Sequence, residues 1–189
     1  MNPVPLWRVF PWDPSAAEGE RFSAAFLPTN QGGGRFDLPG NPDGVVYFAE
    51  SPDHAVAEMI QQFRNATDSL TNADLTRWGH RLALVGATLD APMWPRIPDL
   101  GEPTTLARLS LTAEMPALRD RRRTQRIAHA IHEQGNGGLR WWSSFWGEWH
   151  SVILFQDQLS AEGLTYGQPQ PLDLTSAAVM DAAAQLDIG

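Results

Sequence analysis

The chain has 189 residues, of which 42% are hydrophobic, and it carries a net charge of −8 and no cysteine. This length and composition suffice for one globular domain with its own hydrophobic core. The absence of cysteine excludes a disulfide framework, a thiolate-bound zinc site and a cysteine nucleophile. The negative charge argues against direct binding to nucleic acid, because such binding depends on cations that neutralise phosphates.

No segment of the sequence approaches the roughly 18 apolar residues that a membrane-spanning helix needs. Residues 1–5 also lack the basic and apolar regions of a secretory signal. We therefore expect a cytoplasmic protein that makes no membrane contact.

In the first part of the chain, the pattern predicts two strands, at 6–10 and 45–49, separated by loops over 11–44 that are rich in Pro, Gly, Asn and Ser. Ser51 is a suitable N-cap for a helix over about 52–65. The inward face of this helix is predicted to consist of apolar residues at helical spacing, namely Ala55, Val56, Met59, Ile60 and Phe63.

The remaining predicted elements are a strand at 81–89, an irregular crossing at 91–103, a helix at 119–134, strands at 139–143 and 151–155, and a helix at about 175–186. In the helix at 119–134, Ile127, Ala130 and Ile131 are expected to face inward, and Gly135 to end it. Thr175 is expected to cap the last helix. The sequence thus predicts an α+β fold, a single compact domain with a mixed β core flanked by helices.

Positive charge is concentrated in one segment, where five arginines and Asp120 sum to +4 and leave −12 for the rest of the chain; the arginines are Arg119, Arg121, Arg122, Arg123 and Arg126. All 14 basic residues of the chain are arginine. A solvated helix face is one interpretation of this segment, and a surface for an acidic patch on a partner protein is the other.

The histidines do not predict a metal site. Only His129 and His132 share a face of a predicted helix, and they supply two ligands without the His-Glu-x-x-His pattern. Four tryptophans form a dense aromatic cluster that can complete a core, stack on a nucleotide or contact a partner; they are Trp141, Trp142, Trp146 and Trp149.

Polar side chains with complementary chemistry occur around the predicted strand at 45–49. The run Gly33-Gly34-Arg35-Phe36-Asp37 precedes it, the strand ends in Tyr47-Phe48-Ala49 and is followed by Glu50-Ser51, and Glu58 lies on the next helix. A guanidinium, an aromatic ring and a carboxylate in this order suit an anionic dinucleotide. With Leu6-Trp7-Arg8-Val9, Gly138-Leu139-Arg140-Trp141-Trp142-Ser143 and Val152-Ile153-Leu154-Phe155, these motifs resemble the RES domain family over about 6–155.

This resemblance implies a single RES-like domain over 1–189 with a fold related to ADP-ribosyltransferase toxins. It implies a toxin of a toxin–antitoxin pair that is neutralised by an Xre-type helix-turn-helix antitoxin. Members of the family consume NAD as a substrate, with no further cofactor. They pass its ADP-ribose to water, phosphate or a protein target, so that the reaction is NAD glycohydrolase, NAD phosphorylase or ADP-ribosyltransferase chemistry.

The resemblance also implies that arginine side chains bind NAD. Arg35 is the candidate for the pyrophosphate, because a guanidinium can form two parallel charge-assisted hydrogen bonds with it. Gly34 would let the backbone come close to the ligand. Arg8 is a candidate for a second contact, with a surface ion pair as the alternative.

The other assigned residues would act on the nicotinamide and its ribose. Tyr47 can meet the positive nicotinamide ring face-on, unless it serves as a core residue. Glu58 can stabilise an oxocarbenium-like transition state, although its helical position is about 130° from the centre of the apolar stripe and favours exposure. Ser143 is assigned a hydrogen bond to the substrate, and Ser144 is the alternative, on the opposite face of a strand.

The chain departs from the family pattern at two points. Phe36-Asp37 stands where the family commonly has Trp-Asn, and Trp141-Trp142 where it often has Tyr-Pro. The main polar groups of the family motif are retained at these departures, but the sequence does not determine the shape of the pocket.

Two other functions therefore stay open. One is a non-catalytic domain that binds a nucleotide or a partner protein. The other is a carbohydrate-active enzyme that uses Glu50 and Glu58 as paired carboxylates, with the tryptophans as a sugar platform.

Overall fold

The computed structural model describes residues 2–28, 31–117, 120–143, 146–160 and 163–188. Antiparallel strands and helices form an α+β fold, as the sequence predicts. The contacts group the described residues into two compact units that alternate along the chain. The first unit lies within Met1–Val4, Leu27–Phe48 and Leu89–Thr165, and the second within Pro5–Phe26, Ala49–Thr88 and Tyr166–Gly189.

In the first unit, three strands lie side by side in the order β2, β6, β5: β2 is Val45–Ala49, β5 is Gly138–Trp142 and β6 is His150–Phe155. β5 and β6 are antiparallel, with Gly138 opposite Leu154 and Trp142 opposite His150. The predicted strand at 45–49 is confirmed at both ends. The strand predicted at 139–143 is confirmed with both ends one residue earlier, and the one at 151–155 with only its start one residue earlier.

The helices of the first unit are α2 (Pro103–Arg108), α3 (Glu114–Ala117) and α4 (Arg121–Glu133). α4 packs against β5. The core between the strands and the helices consists of buried apolar side chains from loops, strands and helices; they include Phe36, Leu38, Val45, Leu100, Ile127, Ile131, Leu139, Trp141, Ile153 and Phe155. Phe36 thus anchors its loop in this core.

α4 begins later than predicted, because the Asp120 carboxylate caps it by accepting from the backbone N–H groups of Arg122, at 3.0 Å, and Arg123, at 3.4 Å. Arg119 lies outside the described residues. The buried face contains Thr124, Ile127, Ala128 and Ile131. The prediction that Ala130 faces inward is wrong: Ala130 is exposed, since Ala128 rather than Ala130 lies on the face that Thr124 and Ile131 share.

In the second unit, the strands lie in the order β3, β4, β1, with β3 at Thr76–Arg77, β4 at His80–Leu89 and β1 at Val4–Pro11. Trp7 of β1 is paired with Ala49 of the same unit in antiparallel register. A further strand, β8 (Gln170–Pro171), pairs with β4 in antiparallel register. The predicted strand at 6–10 is confirmed as the central part of β1, and the one at 81–89 as all of β4 except His80.

Two helices of the second unit pack on each other, α1 (Pro52–Ile60) and α5 (Ala177–Gln185). The Ser51 hydroxyl accepts from the His54 N–H at 3.3 Å, so the predicted N-cap is confirmed. α1 ends at Ile60 and continues as a 3-10 turn, Gln61–Phe63, which makes the helix shorter than predicted.

The predicted cap of the last helix is wrong. Ser176 occupies the N-cap position of α5, whereas the Thr175 hydroxyl donates to the Asp173 carboxylate at 2.7 Å. Thr175 therefore stabilises the turn before the helix rather than its first residues.

Several short elements have no counterpart in the prediction, namely α2, α3, β3, β8 and β7 (Leu164–Tyr166). The segment predicted as an irregular crossing contains a 3-10 helix, Ala91–Arg96, and Pro103 begins α2. Within the described ranges, no helix combines the length and apolarity needed to cross a membrane.

Candidate functional site

Residues 32–37, called here the Arg35 loop, are closed by a ring of hydrogen bonds with Tyr47. The Asp37 carboxylate accepts from the Gly34 N–H at 2.7 Å and from the Tyr47 hydroxyl at 2.8 Å. The same hydroxyl accepts from the Phe36 N–H at 3.0 Å. Because Asp37 and Phe36 are both buried, the ring fixes the backbone on both sides of Arg35.

Gly34 is a necessary part of this ring. A Cβ atom at this position would lie 2.5 Å from the Tyr47 hydroxyl oxygen and would also overlap the Asp37 carboxylate. By contrast, a Cβ atom at the neighbouring Gly33 would meet nothing within 4 Å. The second glycine of the pair is therefore required by a close approach of side chains, and the first is not.

Helix α4 holds the opposite side of the Arg35 loop. The Thr124 hydroxyl donates to the Arg35 carbonyl oxygen. The Gln125 side-chain amide donates to the carbonyl oxygens of Gly32, at 3.0 Å, and Gly34, at 2.9 Å. Backbone carbonyls that would otherwise be open to water are thus bound to the helix, and the loop is ordered before any ligand arrives.

The Arg35 guanidinium lies over an aromatic surface of the same unit. Its central carbon is 4.1 Å from the centroid of the Trp141 ring and 5.6 Å from that of Phe36. Phe36 in turn packs edge-on against Trp141, with ring centroids 5.2 Å apart. A guanidinium that stacks by its face keeps its N–H donors in its own plane, where they can meet oxygen atoms.

The Tyr47 hydroxyl is enclosed although 36% of the residue is exposed. Burial raises the pKa of this hydroxyl, and the adjacent Asp37 carboxylate raises it further. Burial also raises the pKa of Tyr166, the other tyrosine of the chain. Tyr47 therefore stays protonated, and can donate to Asp37, beyond the pH at which an ordinary tyrosine ionises.

We expect both tyrosines to ionise above about pH 10, which is the ordinary pKa of a tyrosine hydroxyl. Above that pH the unfolded chain loses protons that the folded state keeps, so the free energy of unfolding should fall as the pH rises. An absorbance titration of tyrosinate and denaturant unfolding at several pH values measure the two effects. Tyr47→Phe should reduce the slope, and a tyrosinate midpoint near pH 10 for the folded wild type would contradict the hydrogen-bonded ring.

Ser143 follows β5 directly and is buried, with 2% exposure. Its N–H donates to the Trp149 carbonyl oxygen at 2.6 Å, which continues the pairing of the two strands past the end of β5. The alternative, Ser144, lies outside the described residues. In the tryptophan cluster, Trp141 and Trp149 are buried as core residues, whereas Trp146 is exposed.

Glu58 and Arg8 belong to the second unit. The Glu58 side chain is 38% exposed, in agreement with the exposure predicted from its position away from the apolar stripe. One carboxylate oxygen lies 3.2 Å from Nε2 of the fully buried His54, and the other accepts from the Gln61 side-chain amide at 3.3 Å. The carboxylate is thus oriented by a donor on each oxygen.

Arg8 is engaged on strand β1. Its guanidinium donates to the Ala24 carbonyl oxygen at 3.1 Å and hydrogen-bonds the Tyr166 hydroxyl. It also lies 5.7 Å from the centroid of the Phe10 ring. These contacts are neutral or aromatic, and the ion pairs found among the described residues do not include Arg8.

Of the six residues that the sequence singled out, the structure joins Gly34, Arg35 and Tyr47 in one hydrogen-bonded loop. Asp37, Thr124 and Gln125, which hold that loop, were not among the residues predicted from the sequence to form the site. Asp is a common turn residue because its carboxylate bonds to nearby backbone N–H groups, and this preference could have indicated Asp37. The two α4 residues carry no such signal, because their contacts span about 90 positions of the chain.

The described part of the chain contains no group of three or more His, Asp or Glu residues arranged to hold a metal ion. His132 Nε2 lies 2.7 Å from an Asp157 carboxylate oxygen, which is the distance of a direct hydrogen bond.

Comparisons with known proteins found a matching family model and a similar solved structure. A family model described as the RES domain matches residues 5–175, which is nearly the whole chain. A chain in the crystal structure of the M. tuberculosis MbcT–MbcA toxin–antitoxin complex is similar, with a TM-score of 0.60 and 17% sequence identity. The match covers 98% of this chain and 88% of that one, so the two share a fold. The comparison with curated proteins found no match.

Proposed function

Because this chain belongs to the RES domain family, we propose that it is a toxin-type enzyme that cleaves the nicotinamide–ribose bond of NAD. The observation that carries the proposal is the Arg35 loop. A guanidinium stacked on Trp141 and held by the Tyr47–Asp37 ring is ordered in advance, and such order lowers the entropic cost of binding a diphosphate.

In the proposed reaction, the bond between C1′ of the ribose and the nicotinamide nitrogen breaks, and its electron pair leaves with the neutral base. Positive charge develops on the ribose. An acceptor oxygen then bonds to C1′ and loses its proton. Because the leaving base is neutral, the site needs to grip the substrate and stabilise charge rather than donate a proton.

We assign Arg35 to the pyrophosphate and Glu58 to the cationic ribose. The His54 and Gln61 contacts support the assignment of Glu58, because a carboxylate held on both oxygens loses little freedom when it meets the substrate. The Tyr47 ring is partly exposed and can contact the nicotinamide. Its hydroxyl stays hydrogen-bonded to the Arg35 loop. Gly34, Ser143 and Arg8 complete the proposed NAD-binding set.

The solved structure that this chain resembles is that of a toxin–antitoxin complex. We therefore propose that an antitoxin neutralises this protein, and that the antitoxin is a helix-turn-helix protein of the Xre type.

Incubating the purified protein with NAD tests the proposal, with free nicotinamide measured by chromatography. The expected result is nicotinamide release with ADP-ribose as the second product, replaced by its 1″-phosphate if phosphate is the preferred acceptor. A labelled protein band with labelled NAD would instead indicate transfer to a protein target. Stabilisation by NAD without nicotinamide release would favour a non-catalytic nucleotide-binding domain.

Arg35→Lys is expected to lower kcat/KM for NAD by about 10-fold to 100-fold, because lysine keeps the charge but loses the planar fork and the stacking on Trp141. The matched control is Arg21→Lys, since Arg21 also stacks on aromatic rings, 4.6 Å from the Phe22 centroid. Steady-state kinetics on both variants separates the two cases. An equal loss of kcat/KM in both variants would contradict a specific role of Arg35 in NAD binding. It would show that a stacked arginine affects activity only by stabilising the fold.

A further inference from the structure

A groove of about 520 Å³ runs along the exposed face of α4, next to the Arg35 loop and within the first unit. Its lining residues are Pro39, Arg122, Gln125, Arg126 and His129. This volume lies in the range of about 300–1,000 Å³ that is usual for ligand sites. The groove is distinct from the aromatic surface under Arg35, and the proposed NAD chemistry does not use it.

The lining of the groove is cationic. Arg122 and Arg126 are four residues apart, so they lie on the same face of the helix, and the Arg126 side chain bends back to donate to the Arg122 carbonyl oxygen at 3.2 Å. Like charges at this spacing destabilise a helix. An anionic partner in the groove would remove this repulsion.

None of the described residues that line the groove is acidic. Asp120 pairs with Arg123 at 3.5 Å, and Glu133 lies 3.9 Å from His129 Nδ1 at the far end of the helix. Neither carboxylate is among the lining residues. The groove thus presents two guanidiniums and an imidazole to whatever enters it.

We propose that this groove is the docking site for an acidic peptide segment of a partner protein. Guanidiniums bind carboxylates through paired hydrogen bonds, which suits a row of Glu or Asp side chains. A nucleic acid would be a poorer fit, because outside the arginine-rich segment the chain carries a net charge of −12 and would repel a long polyanion. The proposal does not depend on NAD cleavage.

The groove also contacts the Arg35 loop through one residue. Gln125 lines the groove and donates to the Gly32 and Gly34 carbonyl oxygens. A peptide in the groove would therefore touch a side chain that orders the loop.

The test uses the full chain and fluorescein-labelled hexaglutamate, with binding followed by fluorescence anisotropy. We expect saturable binding that weakens as salt is added. Replacing both groove arginines, Arg122→Ala with Arg126→Ala, should weaken binding about tenfold. The matched double variant, Arg121→Ala with Arg123→Ala, removes the same charge from the same helix outside the groove and should change binding by less than about twofold.

Circular dichroism and unfolding midpoints establish that both double variants fold. Equal weakening by the two pairs would overturn the proposal, because it would show attraction to net charge rather than a docking site. Undetectable binding to the wild type would also overturn it. So would tighter binding of a labelled thymidine hexanucleotide through Arg122 and Arg126, which would identify the partner as a nucleic acid.

Discussion

Replacing Glu58 by glutamine is expected to reduce the rate of nicotinamide release by about 10²–10³-fold, the usual effect of removing one group that stabilises transition-state charge. The substitution removes the negative charge beside the developing ribose cation while keeping the shape of the side chain. The loss should appear in kcat more than in KM, because the positive charge exists only near the transition state.

The structure indicates why Glu58→Gln should remain folded. The side chain is partly exposed, and its two hydrogen bonds, to His54 and Gln61, join neighbouring turns of the same segment. A single hydrogen bond lost here costs about 1 kcal/mol of unfolding free energy. Denaturant unfolding measures this cost separately from the kinetics.

The matched control for Glu58→Gln is Glu133→Gln, since Glu133 is an exposed glutamate near the end of α4 and its nearest basic group, on His129, is 3.9 Å away. The control should release nicotinamide at the wild-type rate. If Glu58→Gln turned over NAD as fast as this control, the proposed role of Glu58 would be wrong.

Gly34→Ala is expected to lower the free energy of unfolding by about 1–3 kcal/mol, the usual cost of inserting a methyl group into a filled space. The added carbon would lie 2.5 Å from the Tyr47 hydroxyl oxygen, so the Tyr47–Asp37 ring would have to open. Because that ring places Arg35, NAD turnover should fall together with stability.

Gly33→Ala provides the control within the same loop. Nothing lies within 4 Å of a Cβ atom at Gly33, so its unfolding free energy should stay within about 0.5 kcal/mol of the wild type. Urea unfolding followed by tryptophan fluorescence compares the two variants. Equal destabilisation by both would mean that the loop responds to lost glycine flexibility and not to a close approach at Gly34.

The long elements could be predicted from local patterns. The β-branched and aromatic run of β2 and the helical spacing in α1 and α4 each specify an element without reference to the rest of the chain. The ends of the two helices were predicted less accurately, because α4 begins after the Asp120 cap and α1 gives way to a 3-10 turn after Ile60.

The candidate site was predictable only in its individual residues. Arg35 and Tyr47 stood out by type and by family resemblance, whereas the contacts of Gln125 and Thr124 with the Arg35 loop depend on tertiary packing. In the sequence, Phe36 and Asp37 are departures from the family pattern, and they did not reveal the shape of the pocket. In the structure one anchors the loop in the core and the other accepts its hydrogen bonds.

The alternation of the two units along the chain has a consequence for folding. Each unit is assembled from three separate segments, so its contacts join residues far apart in sequence, as Arg81 and Asp173 do at a separation of 92 positions. Such non-local contacts must overcome the entropy of closing long loops before they contribute stability, and domains built on them fold slowly. A nascent chain of this protein therefore cannot complete the first unit before the segment Leu89–Thr165 is synthesised, or the second unit before Tyr166–Gly189 follows.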